Sequence, residues 1–582
     1  MRLAQAAQRV VRNDQLLLFA LALIVGVAAG YGALAFRLLT ALIQLVFFGH
    51  ASEFVASHAR VLPWWQVLGA PVLGGLLIGL FAATVMPGRR PQAVADVMEA
   101  SALRQGRMSL NAGLGAAFMS AASIGCGASV GREGPIVHLG ASLASAVARK
   151  LHLSPSFSRT LLGCGVAAAI GSAFNAPIAG VFFALEVVIG HYGLSAFSPV
   201  VISSVIGTMI TRIHLGADAA FQLPPQVITS FWELPAFILL GLVAALVALA
   251  LMRAVAVVQW VHDWLNVPPQ IRPALAGLAV GLIALVLPEV LGVGYEATDR
   301  ALRVGYELQF LIMLAIAKAT ATAICLGSGF GGGVFSPSLV LGALTGASFG
   351  IVAGSIFPDL GSSPSVYAIL GMGAVAACVL GAPISTVIMI FELTTDYEVT
   401  FALMVAVAVA SVTSYQIWPF SFFTWQLATR GIQLGRRDQA VMRATKVQSV
   451  LRRQVVRVGL AATLDELKAL FVQRHLPIFV IDGDDRLVGT IHFEDLADAA
   501  FDPERAGQVI TARDLVHRIP LALTPEDDLE TALRLAEMND EEHMPVVDNG
   551  KDMRVIGEVR QADLVLAYNR ALLQTREAER GT

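Results

Sequence analysis

The sequence predicts an all-α polytopic membrane protein followed by a cytoplasmic α/β tail, and three observations carry that prediction. Charged residues make up only 14% of the 582-residue chain, against 56% hydrophobic ones, where an average soluble domain is roughly 25% charged. Leu16 to Phe36 holds no charge and is closed off by Asp14 and Arg37, a length sufficient to cross a hydrocarbon core. From about residue 447 the character changes, with frequent charges and shorter apolar runs.

Taken in order, residues 1–14 form a short cytoplasmic segment bearing Arg2, Arg9 and Arg12. No small-residue cleavage site follows the first apolar run, so that run reads as a permanent span rather than a signal peptide. The membrane domain then extends over 15–425, with further uncharged runs near 66–86, 234–252, 273–288 and 399–419, and one near 308–326 that contains a single lysine, Lys318. Shorter or Gly/Pro-broken runs lie at 110–128, 136–148 and 334–356. A basic linker follows over 426–446, and Arg430, Arg436, Arg437, Arg443, Lys446, Arg452 and Arg453 face only Asp438 there and just beyond. By the positive-inside tendency both termini lie in the cytoplasm, with the protein in the cell (inner) membrane. The net charge of −3 by itself says nothing about a partner, and no nucleic-acid partner is expected. Cys126, Cys164, Cys325 and Cys378 sit in apolar stretches without paired spacing, which predicts small buried residues rather than disulfides or a metal site.

The unusual stretch is Gly131-Arg132-Glu133-Gly134-Pro135, an arginine and a glutamate side by side between two apolar runs. Ionisable residues at membrane depth are costly and mark function. A glycine-rich break before a helix leaves free N–H groups at the positive end of the helix dipole, a site for an anion. Glu133 supplies a tethered carboxylate able to occupy that site and swing away; the plain alternative is a tight turn closed by an Arg–Glu pair. A second break, Gly327 to Pro337, has five glycines within 327–333 and again opens a helix. Lys318 either adds positive potential there or, the favoured reading, pairs with a carboxylate. The membrane domain also repeats itself. Gly163-Cys-Gly165 leads to Asn175-Ala-Pro177, with Glu186 nine residues after the proline; Gly371-Met-Gly373 leads to Ala382-Pro383, with Glu392 nine residues after. Matched breaks in two halves point to a transport site between repeats, lined by irregular backbone.

The tail carries two copies of one pattern. Pro477 to Asp482, Gly489 and Asp495-Leu496 are echoed by Pro545 to Asp548, Gly557 and Asp563-Leu564, the proline, the glycine and the final aspartate each recurring 68 residues on, and each copy is preceded by an amphipathic helix, Leu464 to Gln473 and Leu529 to Met538. Each unit is too small to fold alone, so the two should pair.

GREGP at 131–135, Gly333-Val-Phe335-Ser-Pro337 and Asn175-Ala-Pro177 with Glu186 resemble the CLC family of chloride channels and proton-coupled chloride transporters. The tail resembles a tandem CBS pair, about 447–505 and 506–570 within 447–582. The resemblance implies a CLC-type fold of two inverted halves built from tilted and broken helices, a homodimer with one pore per subunit, and chloride as substrate. It makes Glu133 the gating glutamate and places Gly131, Arg132, Gly134, Gly333, Val334 and Phe335 at the anion path. It also marks three departures. The family's anion-binding serine falls on Gln92, within Pro91 to Met98, and its inner-gate tyrosine on Phe423, which has no hydroxyl to donate. The exchangers' second, proton-relaying glutamate falls on Val187, an apolar side chain that carries no proton. The reading is therefore a passive, voltage- or pH-gated chloride channel, with a proton-coupled antiporter using another internal route as the alternative. The retained Pro135 resembles chloride-type rather than fluoride-type members.

In CBS domains of this kind, aspartates matching Asp495 and Asp563 can hold the ribose of an adenine nucleotide. The hydroxyl residues three positions before them are here His492 and Arg560. These either face a phosphate or mark a pair that packs and binds nothing, and packing is the favoured reading. No His-Glu-x-x-His and no Ser/His/Asp arrangement is present, so no enzyme is expected. A membrane-anchored nucleotide sensor is a distant alternative, since an anchor needs no matched glycine breaks.

Overall fold

The computed structural model describes residues 14–578, apart from 53, 191, 193, 217–227, 229–230, 304, 359–361, 433–441, 443–444, 475–477, 492–494, 497–498, 500–508, 517–521 and 540–542. Arg2, Arg9, Arg12, Arg436, Arg437, Asp438, Arg443, Pro477 and His492 thus lie outside the described residues. The chain divides into two compact units, Met1–Ile432 and Gln433–Thr582.

In the first unit, eight helices among the described residues are long and apolar enough to cross a membrane, and five shorter apolar helices accompany them. α1 (Asp14–Phe48), α2 (Val55–Ala59), α3 (Trp64–Val85) and α4 (Val94–Leu103) precede a run of five: α5 (Leu110–Gly125), α6 (Glu133–Lys150), α7 (Pro155–Phe174), α8 (Pro177–Phe183) and α9 (Leu194–Leu215). α10 (Leu234–Trp264), α11 (Arg272–Val286) and α12 (Tyr295–Leu302) precede a second run of five: α13 (Leu308–Gly327), α14 (Phe335–Ile356), α15 (Pro364–Leu380), α16 (Pro383–Thr394) and α17 (Tyr397–Ile417). α18 (Phe422–Ala428) ends the unit.

The two runs are built by the same local chemistry. α7 ends at Asn175 (φ 60°) and α15 at Gly381 (φ 65°), both left-handed. Asn and Gly reach that region at least cost. Pro177 and Pro383 then open the next helix, where a missing N–H is no loss. Helices α6 and α7 touch through glycine: a Cβ on Gly140 would lie 2.4 Å from the Gly165 carbonyl oxygen, and one on Gly165 2.2 Å from that of Gly140. α14 and α15 repeat the contact at Gly342 and Gly371, at 2.4 and 2.5 Å. Small residues at such crossings let backbones approach where lipid supplies no hydrophobic drive.

Each half also caps the other. The Glu186 carboxylate accepts from the Ile384 and Ser385 N–H groups at the start of α16, at 3.1 and 2.8 Å, and from Ser385 Oγ at 2.7 Å. The Glu392 carboxylate accepts from the Ile178 and Ala179 N–H groups at the start of α8, at 2.9 and 2.7 Å. Carboxylates on first-turn N–H groups satisfy orphan donors and match the dipole.

In the second unit, β1 (Val456–Gly459) pairs parallel with β2 (Ile478–Ile481), and β2 antiparallel with β3 (Leu487–Ile491). α19 (Leu464–Arg474) connects β1 to β2, and α20 (Ala512–Leu515) and α21 (Leu529–Asn539) lead to the antiparallel pair β4 (His543–Val547) and β5 (Val555–Arg560), followed by α22 (Gln561–Ala578). Leu523 bridges Val546 in parallel, standing where β1 stands in the first copy. Phe479 and Leu487 of one copy pack with Val547 and Val555 of the other, and Leu487 N–H donates to the Met553 carbonyl at 2.8 Å. The two copies share a core, as their size requires.

Candidate functional site

Both glycine breaks lead to one place. Gly131 and Gly333 form an antiparallel bridge, with Gly131 N–H donating to the Gly333 carbonyl at 2.7 Å and Gly333 N–H to the Gly131 carbonyl at 2.8 Å. One residue past the bridge on each side comes a cap, Arg132 or Val334, and then the first turn of α6 or α14. Two helix N-termini, one per half, therefore converge, and the opposed chain directions at the bridge are those of inverted halves. A Cβ on Gly131 would sit 2.8 Å from Glu133 Oε2 and 3.0 Å from the Gly333 oxygen, so a larger residue there would press on the Glu133 carboxylate and the bridge. Each loop is also tied to the opposite half: Ser123 Oγ on α5 accepts from Gly331 N–H at 2.9 Å, and Ser129 Oγ lies 3.0 Å from Thr322 Oγ1 on α13.

Glu133 sits on this point, buried. Its carboxylate accepts from Ser336 N–H at 3.2 Å and from Ser336 Oγ, and Tyr295 OH reaches it at 3.4 Å. It thus places a carboxylate on the free N–H end of α14. Arg132 Nε is 4.0 Å from Glu133 Oε1, but the guanidinium stacks over the Tyr295 ring at 4.8 Å and donates to the Ala173 carbonyl at 3.3 Å. The Arg–Glu pair of the plain reading is thus a secondary contact, and the carboxylate's main partners come from the other half.

Three cavities lie along the site. A small one of about 20 Å³ is lined by Glu133, Gly134, Gly333, Val334, Phe335 and Phe423, among others, enough for one water-sized species. A second, of about 390 Å³, is lined by Arg37, Arg132 and Tyr295. A third, of about 340 Å³, is lined by Arg89, Arg90, Arg272 and Arg430 against Asp263, and reaches the end of α18. Basic walls around a cleft raise the local anion concentration. Of the positions expected at the anion path, Gly134, Gly333, Val334, Phe335 and Phe423 line the small cavity, Gly131 supplies the bridge, and Arg132 faces the second cavity. Gln92 is placed differently: its amide donates to the Pro87 carbonyl at 3.4 Å, while Ala93 and Val94 line the small cavity. Tyr295, Ser336 and Gln426, which also lines the small cavity, were not singled out from sequence. Ser336 could have been, as the second residue of α14.

Val187 is buried in a π-helical turn, Ala184–Ile189, that continues α8. Lys318 is buried and donates to the Val290 and Gly292 carbonyls at 2.9 and 2.8 Å, so its partners are backbone oxygens and not the carboxylate expected. All four cysteines are free and buried. In the tail, both Asp563 oxygens accept from Arg452, at 2.6 and 3.0 Å; this hydrogen-bonded carboxylate holds the Arg452 guanidinium above its ordinary range. Arg560 Nε lies 3.5 Å from Glu558 Oε1, and Asp495 is half-buried in helical conformation.

The family model for the voltage-gated chloride channel matches residues 74–415, and that for the CBS domain matches 447–502 and 512–570. A putative chloride channel protein, ClcB-like, from Ralstonia nicotianae is 35% identical over 415 residues, covering 71% of this chain and 96% of that protein. Chloride channel protein CLC-e of Arabidopsis thaliana is 28% identical, covering 97% of this chain and 89% of its own. Among solved structures, a slow cyanobacterial Cl−/H+ antiporter superposes with a TM-score of 0.63 at 22% identity, over 71% of this chain and 97% of that one. A eukaryotic CLC transporter gives 0.62 at 18% identity over 94% and 97%.

Proposed function

The chain belongs to the CLC voltage-gated chloride channel family, as a multi-pass membrane protein of a family that transports chloride, and from that premise we propose that it is a passive chloride pore gated by Glu133. The observation that carries this reading is the Glu133 carboxylate on the Ser336 N–H at 3.2 Å, at the one point where both halves aim a helix start. Uncharged donors and dipoles attract an anion without a full charge to trap it, so it can bind and leave. Protonation of Glu133 removes the charge that holds it there, which makes low pH the opening condition. The protein works as a homodimer in the cell membrane with both termini cytoplasmic.

Passive conduction is preferred to proton exchange because Val187 offers no proton station and Glu186 is committed to capping α16. The test is flux in proteoliposomes. An imposed chloride gradient is expected to drive chloride with no uphill proton movement; sustained uphill proton movement would replace the channel by an antiporter.

The CBS pair serves packing in this reading, since Arg452 takes both oxygens of Asp563. Titrating ATP, and separately AMP, into the full-length protein is expected to give no saturable heat. A saturable isotherm abolished by Asp563→Ala would make the tail a nucleotide sensor.

A further inference from the structure

The small cavity has an apolar wall where an anion must leave it. Besides backbone, it is lined by Ala93, Val94, Val137, Ile170, several phenylalanines and only two polar side chains, Glu133 and Gln426. Glu133 is an acid and repels an anion whenever it is ionised. Gln92 is turned to Pro87, and Phe423 has no hydroxyl. That leaves Gln426 as the one neutral side-chain donor among the described lining residues.

Gln426 also lines the basic cavity that holds Arg89, Arg90, Arg272 and Arg430. It is half-buried, and its side-chain amide has no hydrogen-bond partner among the described residues. The helix beneath it is fixed. Ser421 Oγ accepts from Thr424 N–H at 3.3 Å while Thr424 Oγ1 accepts from Ser421 N–H at 2.8 Å, Phe422, Phe423, Trp425 and Leu427 are buried, and Arg430 beyond its end pairs with Asp96 at 3.0 Å. Phe423 and Gln426 are three residues apart, on one face of the helix.

We propose that Gln426 is the anion-coordinating residue that passes the ion between the basic cavity and the central one, and so sets affinity and selectivity at the inner mouth. A primary amide brings two N–H donors and no charge. It replaces part of the ion's water shell without holding it, the compromise that conduction needs. The inference rests on the chloride-pore reading.

The experiment uses full-length protein, with chloride binding followed by calorimetry in detergent and chloride and nitrate flux measured in proteoliposomes. Gln426→Leu is expected to weaken chloride binding about tenfold, the loss of one hydrogen bond to a charged partner, and to change the chloride-to-nitrate flux ratio. Gln426→Glu, nearly isosteric, is expected to cut chloride flux by more than about tenfold through repulsion at a half-buried site, and it carries the test if the leucine variant does not fold. Wild-type binding, flux and selectivity in either variant, with an unaltered elution profile, overturns the inference alone. A wild-type protein that moves no anion overturns the pore reading, and this inference with it.

Discussion

Glu133→Gln is expected to raise chloride flux at neutral pH at least about fivefold and to flatten its dependence on pH. The carboxylate holds its place through Ser336 N–H at 3.2 Å and through Ser336 Oγ. Hydrogen bonds to a charged group contribute about 1.5–3 kcal/mol each, against about 1 kcal/mol for neutral ones. Neutralising the side chain therefore removes about 1–4 kcal/mol from the closed arrangement, a factor of about five to about a thousand in the balance between tethered acid and free anion. Bond lengths and volume barely change, so the variant separates charge from shape. The wild type should conduct more as pH falls, and the variant should conduct alike at every pH. Flux in proteoliposomes across a pH series checks both. A variant that keeps the wild-type pH dependence would remove Glu133 from gating.

How much of this was legible in the residues follows from what each signal encodes. Gly/Pro breaks report where helices start, so the convergence of Glu133 and Phe335 on one site was readable from two breaks in two matching halves. The bridge between Gly131 and Gly333 was not, because the partners are far apart in sequence and neither carries a side chain to mark the contact. Glu186 and Glu392 gave a signal whose meaning needed the fold. Nine residues after a helix-opening proline is about 13 Å along a helix. In an antiparallel pair of α8 and α16, that puts each acid at the other's start, where four N–H groups lack partners.

Motif position carried the backbone register but not side-chain direction. Gln92 matches the family's serine in order, yet its longer side chain turns to the Pro87 carbonyl and leaves the wall to Ala93 and Val94. Gln426 escaped notice because no motif contains it; only the meeting of two cavities makes it conspicuous. Asp563 kept the residue type of a nucleotide site, but sequence alone does not reveal that Arg452 occupies both its oxygens.

Lys318 is the case in which a costly residue has a backbone task, and Lys318→Met tests it. The ammonium donates to the Val290 and Gly292 carbonyls. Those oxygens belong to the turn that runs through Gly292 (φ 61°) and Gly294 (φ 96°) into Tyr295, whose hydroxyl reaches Glu133 at 3.4 Å. The approach is close: a Cβ on Gly294 would meet Lys318 Cε at 3.1 Å and Nζ at 3.2 Å. Methionine fills similar volume but leaves two buried carbonyls without donors, at about 1–3 kcal/mol each. Against this stands the relief of the ammonium's own desolvation, which is why truncating a charge held by dipoles costs less than breaking an ion pair. The orphaned carbonyls are expected to outweigh that relief, because Val290 and Gly292 are both buried. A net loss of about 2–4 kcal/mol is expected, seen as a lower Tm in detergent. The loosened turn should also weaken the hold of Tyr295 on Glu133, so the residual folded protein should open at higher pH than wild type. An unchanged Tm with an unchanged pH profile would show that Lys318 supports neither the turn nor the gate.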